Sequence, residues 1–171
     1  MLISDKTNNQ LNLIVQSMFG LNRVIDRIVS VMSVDFSCVQ SSNLLHLQYA
    51  HKFPLLADFF SEIQDSYNIK TDYLETPRDN SNYNNLLEMF QKVLDKVLDA
   101  NKLINDCIEI CIEEGDYNVK SSLEKFLADI YIHYIKQSII LRDKAKLYKD
   151  DVLRFDKDFP IFFIINDEVG A

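Results

Sequence analysis

Apolar residues recur three and four apart along most of this chain, the spacing that lines up one face of an α-helix. From Asn8 the pattern runs without a miss through Leu11, Ile14, Met18, Leu21, Ile25, Ile28 and Met32. Two more stripes flank Glu113-Glu114-Gly115-Asp116-Tyr117-Asn118. One is Leu87, Phe90, Leu94, Val97, Ile104, Ile108 and Cys111, with Asn101 as a polar intruder. The other is Leu123, Leu127, Ile130, Tyr134 and Leu141, with Gln137 in the seam and Phe126, His133, Ile140 and Leu147 along its flank. Each helix hides one face and wets the other. Gly115 suits the left-handed conformation that ends a helix, and Asp116 or Asn118 offers an oxygen to the first amides of the next, so these two stripes predict an antiparallel pair.

Asp5 or Thr7 is available to cap the first helix, and Gly20 inside it costs up to about 1 kcal/mol relative to alanine, which suggests close approach of a neighbour. Ser33 to Ser37 reads as a turn, with Asp35 and Ser37 able to cap the next helix. A second helical pattern spans 37–67 and contains Pro54, whose missing amide hydrogen costs about 3 kcal/mol in a helix interior, so a kink or a break falls there. A kink gives helices of matched length over about 8–33, 37–67, 84–114 and 118–149 in a bundle occupying 1–150. Residues 68–82 lack a helical period and are rich in turn formers; extended, they span about 50 Å, the length of a long helix. They predict a full-length crossover, with the second and third helices parallel. The tail, 151–171, carries Phe159-Pro160-Ile161-Phe162-Phe163-Ile164-Ile165, which must be strapped over the bundle or buried against another copy.

Composition narrows the class. Three glycines and three prolines are too few for the turns of a sandwich or barrel, which leaves an all-α domain. Eighteen basic against 26 acidic residues give a net charge of −8, so no nucleic-acid partner and no membrane surface is expected. No apolar run reaches the roughly 18 residues that span a bilayer. Cys38, Cys107 and Cys111, two of them inside an apolar stripe, read as reduced core thiols in a cytoplasmic protein. The acidic run Glu88, Asp95, Asp99, Asp106, Glu109 and Glu113, with Lys92, Lys96 and Lys102 between, reads as a solvated helix face. No nucleophile motif and no glycine-rich phosphate loop is present.

Two helical hairpins joined by a full-length crossover resemble the ferritin-like four-helix bundle, up-down-down-up, of ferritins, bacterioferritins, rubrerythrins and mini-ferritins of the Dps type. The resemblance covers about residues 8–149 and is architectural. It implies a di-iron site built from carboxylates and Glu-x-x-His pairs, yet no Glu here is followed three residues later by a His. His46, Asp58 and Glu62 only faintly echo the mini-ferritin spacing. With turns near residues 35 and 116 and parallel second and third helices, Asn22, His51, Asn101 and His133 fall at one mid-bundle level. Asp129 lies one turn from His133, and Asp58 and Glu62 one to three turns from His51. These groups pair with one another or with Tyr49 and Tyr134 to fix register, with no cofactor, or hold iron or another transition metal through His51, Asp129, His133, Asp58 and Glu62, or for the most part lie exposed on the surface. The expected function is a homodimeric or larger assembly module with a degraded metal site and an unidentified protein partner. The competing expectation is a ferroxidase or oxygen-handling enzyme.

Overall fold

The computed structural model describes residues 2–165 and is all-helical over them. Helix α1, Asp5–Val34, rises from the lower end of a bundle. The second rod descends as α2 (Val39–Leu45), a π-helical turn (His46–Ala50) and α3 (Lys52–Ser66). After an extended crossover, α4 (Leu86–Glu114) descends again. The fourth rod rises as α5 (Tyr117–Phe126), a second π turn (Leu127–Tyr131) and α6 (Ile132–Tyr148), and a short α7 (Val152–Phe162) closes the upper end.

Side-chain bonds fix these directions. Near the lower end Lys6 pairs with Glu114 at 2.7 Å and Gln10 donates to the Leu103 carbonyl at 3.0 Å, so α1 and α4 are antiparallel. The crossover climbs beside α1: the Asp72 amide donates to Asn12 at 3.1 Å, Gln16 to the Glu75 carbonyl at 2.5 Å, and Arg27 to the Ser81 carbonyl at 2.8 Å. Advancing from 12 to 27 on α1 while the crossover advances from 72 to 81 makes the two parallel. The second and third rods therefore point the same way, and the up-down-down-up order predicted from sequence is the observed one.

The predicted α1 stripe is buried throughout, from Leu11 to Met32. On α4 the stripe passes through Ala100 rather than Asn101, and Leu87 yields its place to Leu86. The caps differ from those expected. Ser4, not Asp5 or Thr7, caps α1 by accepting the Thr7 amide at 3.0 Å. Gly115 ends α4 at φ 80, as the sequence requires. Asp116, however, turns back to α1, where its Oδ2 accepts the Ser4 amide at 3.0 Å and the Thr7 hydroxyl at 2.6 Å. Neither Asp35 nor Ser37 caps α2. Asp156 of α7 does so from the far end of the chain, accepting the Ser41 amide at 2.7 Å and hydroxyl at 2.6 Å and the Gln40 amide at 3.3 Å. The tail is thus integral to the bundle over its described length. Phe155, Phe159 and Phe163 are buried, while Ile161 and Ile164 remain exposed; residues 166–171 lie outside the described residues.

Pro54 does not end the second rod, which continues through it as α3. It sits in the first turn of α3 and cannot donate to the carbonyl of Ala50, four residues earlier. The π turn lies immediately upstream, its wide loop closed by the His51 amide on the His46 carbonyl at 3.3 Å. The Ala50 carbonyl takes a donor from another helix instead: Asn22 Nδ2 of α1 reaches it at 3.0 Å. Asn22→Ala leaves that buried acceptor unmet and is expected to cost about 1–3 kcal/mol in urea unfolding, whereas Asn22→Asp fails to restore it because a carboxylate offers no donor. Asp156→Ala is expected to cost about 0.5–2 kcal/mol by the same measurement, with no additional loss when Ser41→Ala is combined with it, since both act through one contact.

Candidate functional site

The two π turns face each other at mid-height, on the second and fourth rods. A π turn admits one extra residue and rotates every following side chain about the axis. On the fourth rod the buried series accordingly runs Leu123, Phe126, Tyr131, Tyr134, Ser138, Leu141 and Ala145, with a step of five across the turn. Leu127 and Ile130, predicted for the seam, are displaced to its flank as partly buried residues.

Rings fill the space between. Tyr49, Phe53, Tyr131 and Tyr134 are each at most 1 % exposed. Tyr134 stacks on Tyr49 at 5.9 Å and on Tyr131 at 6.2 Å, and meets Phe53 edge-on at 5.4 Å. The array extends from Tyr131 to Phe126 at 5.8 Å and from Phe126 to Phe59 at 4.7 Å. Such contacts add about 0.5–1.5 kcal/mol per pair beyond area burial. Two of the phenol hydroxyls bond to main chain: Tyr49 donates to the Tyr134 carbonyl at 3.2 Å and Tyr131 to the Val97 carbonyl at 2.8 Å. Burial pushes both phenols well above the ordinary 10.0, and Tyr131 is pushed further by facing Tyr49 and Tyr134.

His51, Asp58, Glu62, Asp129 and His133 are all solvent-exposed. The expected level is right, since Tyr49 and Phe53 bracket His51 in sequence and touch Tyr134, the neighbour of His133. The helix face is not, because the rings take the interior. Asn22 reaches the second rod next to His51 but bonds to backbone, and Gln137 donates to the Phe162 carbonyl of α7 at 3.4 Å. Among the described residues the buried polar side chains are Thr7, Asn12, Ser41, Ser42, Gln64, Gln137 and Ser138, and none is a carboxylate or an imidazole. Nor do any three His, Cys, Asp or Glu side chains there form a group that could hold a metal ion. A buried pair of irons needs bridging carboxylates and imidazoles, so the donor set at the bundle centre does not fit one.

Three other features lie outside the centre. A groove of about 640 Å³ between α1, the crossover and α4 is floored by Gly20, Leu21 and Leu103; a Cβ on Gly20 would meet nothing within 4 Å, so that glycine answers no close neighbour. Cys38, Cys107 and Cys111 are free and buried, and burial beside Asp156 pushes the Cys38 thiol up to about 11. His46 is half-buried, with Nδ1 3.0 Å from Asp26 Oδ1 on α1 and its ring centre 4.2 Å from that of His51.

The family model for the ferritin-like domain matches residues 47–136, from the first π turn through the second. The chain belongs to the ferritin-like domain family. Among solved structures it is similar to an open-pore ferritin from the hyperthermophilic archaeon Archaeoglobus fulgidus, with a TM-score of 0.83 and 17% identity over 92% of this chain and 96% of that one. An engineered closed form of the same ferritin gives a TM-score of 0.82 at 18% identity over 91% and 95%, and a humanized archaeal ferritin gives 0.81 at 16% over 91% and 94%. No curated protein matches the chain.

The buried phenols make a pH prediction. The fold holds Tyr49 and Tyr131 neutral, so their contribution is fully present below the unfolded tyrosine value near 10. It falls as pH rises above that by about 1.4 kcal/mol per pH unit for each phenol. In an alkaline titration these two tyrosines are expected to show phenolate absorbance only as helical circular dichroism is lost; their ionisation within an intact bundle would contradict the burial described.

Proposed function

We propose that this chain is a ferritin-type subunit that acts as a self-associating scaffold, its two-metal centre replaced by packed rings. The observation that carries the reading is the interior set of Tyr49, Phe53, Tyr131 and Tyr134, with the Tyr49 and Tyr131 hydroxyls committed to main-chain carbonyls where a ferroxidase needs carboxylates and imidazoles. The rival reading, an iron-oxidising enzyme, draws on family membership and on the neighbouring archaeal ferritins.

Self-association is supported by exposed apolar residues on two adjoining segments. Leu13 on α1 and Tyr73 and Leu74 on the crossover are exposed, and the bonds from Asp72 to Asn12 and from Gln16 to Glu75 hold the two segments side by side. Tyr73 is 67 % exposed although its ring reaches Phe19 at 6.3 Å. A homodimer across this face, alone or as the unit of a larger shell, would remove that apolar surface from water. Three reduced, buried thiols and the lack, among the described residues, of a helix long and apolar enough to cross a membrane accord with a cytoplasmic setting.

Iron(II) added under air to the purified chain is expected to oxidise no faster than in buffer alone, and light scattering is expected to give a multiple of the chain mass. Tyr73→Asp should lower that mass without changing the helical signal. Rapid stoichiometric iron oxidation would establish the ferroxidase reading instead, and a single-chain mass at all concentrations would remove the scaffold.

A further inference from the structure

We propose that His46 and His51 form a site for one divalent transition-metal ion of the zinc, nickel or copper class, on the outside of the second rod and separate from the bundle centre. In a regular helix of 3.6 residues per turn, side chains five apart point roughly 140° away from each other. The π turn His46–Ala50 removes that divergence. The two imidazoles lie with centres 4.2 Å apart and planes inclined by 64°. Two imidazoles sharing a tetrahedral ion, with metal–nitrogen bonds of about 2.0–2.1 Å, have centres about 5 Å apart; these two rings meet edge to face, so rotation of one exposed ring out of that contact, together with a slight separation, brings a nitrogen of each onto a shared ion.

Asp26 prepares one of the ligands. Its Oδ1 sits 3.0 Å from His46 Nδ1; a ring hydrogen held between those two atoms leaves Nε2 as the nitrogen that can bind a metal. A carboxylate behind a ligating histidine fixes ring orientation and raises ligand basicity, and it is the usual companion of imidazole–metal bonds. Both rings are reachable: the His46 side chain is 41 % exposed and His51 is exposed. Water completes the coordination of an ion held by two protein nitrogens. Imidazole donors select zinc, nickel and copper over magnesium or calcium, and the net charge of −8 raises the local concentration of any cation.

The test uses the full chain, stripped with chelator. Titration with zinc chloride in a calorimeter is expected to show one ion per chain. Copper(II) added to one equivalent should give an electron paramagnetic resonance spectrum with coupling to two nitrogens. His46→Ala and His51→Ala should each abolish the zinc heat and reduce the copper signature to one nitrogen. Asp26→Asn should weaken binding roughly 10- to 100-fold while leaving both nitrogens in place. His133→Ala, which removes an imidazole outside the site, should bind as the parent does, and unchanged circular dichroism shows that each variant is folded. The proposal is overturned by absence of stoichiometric uptake, by His46→Ala or His51→Ala binding like the parent, or by loss of binding in His133→Ala.

Discussion

An extended segment that runs the full height of a helical bundle has to find partners for its main-chain polar groups outside itself, and this requirement organises the molecule. Gln64, fully buried at the foot of the second rod, donates to Asn8 and Asn12 at 2.7 Å each and accepts the Thr71 hydroxyl at 2.8 Å. One amide thereby joins α1, the end of α3 and the start of the crossover. Further up, Gln16 and Arg27 take crossover carbonyls in turn, and Asn68 at φ 57 makes the change of direction that lets the segment begin its climb. With the crossover held along α1, the third rod can start only at the top, and the parallel arrangement of α3 and α4 results.

Within that frame, the centre is a question of which side chains the second and fourth rods turn inward. Both rods carry a π turn at the same height, and both present rings to the interior while His51 and His133 face water. Changing the phase of a helix by one residue exchanges an entire interior set for its neighbour at little cost to the rest of the fold. The architecture shared with the archaeal ferritins survives this exchange, which is why likeness of fold says so little here about chemistry.

The same phase change marks how far the sequence could be read. The α1 stripe is unbroken, and its period alone identifies every buried position from Leu11 to Met32. The level at which Asn22, His51 and His133 fall is also legible, because rise per residue is nearly constant along any helix. The inward face is not: a single wide turn leaves no mark in the hydrophobic period, and His133 sits beside Tyr134 with only rotation to separate inside from outside. Pro54 is the one local sign of the first π turn, and Leu127–Tyr131 contains no comparable sign. Long-range caps were equally hidden. Asp116 and Asp156 each serve a helix more than a hundred residues away, and no local rule pairs them with Ser4 or Ser41.

The dependence of α2 on Asp156 also sets an order of events. On a ribosome, the residues that begin the second rod emerge long before the acceptor that completes their first turn. The rest of the bundle can assemble while synthesis continues, but its upper rim stays open until α7 is free of the exit tunnel. Closure of that rim therefore follows the emergence of α7, and the apolar surface beneath Phe155 and Phe159 is exposed to chaperones for as long as it is pending.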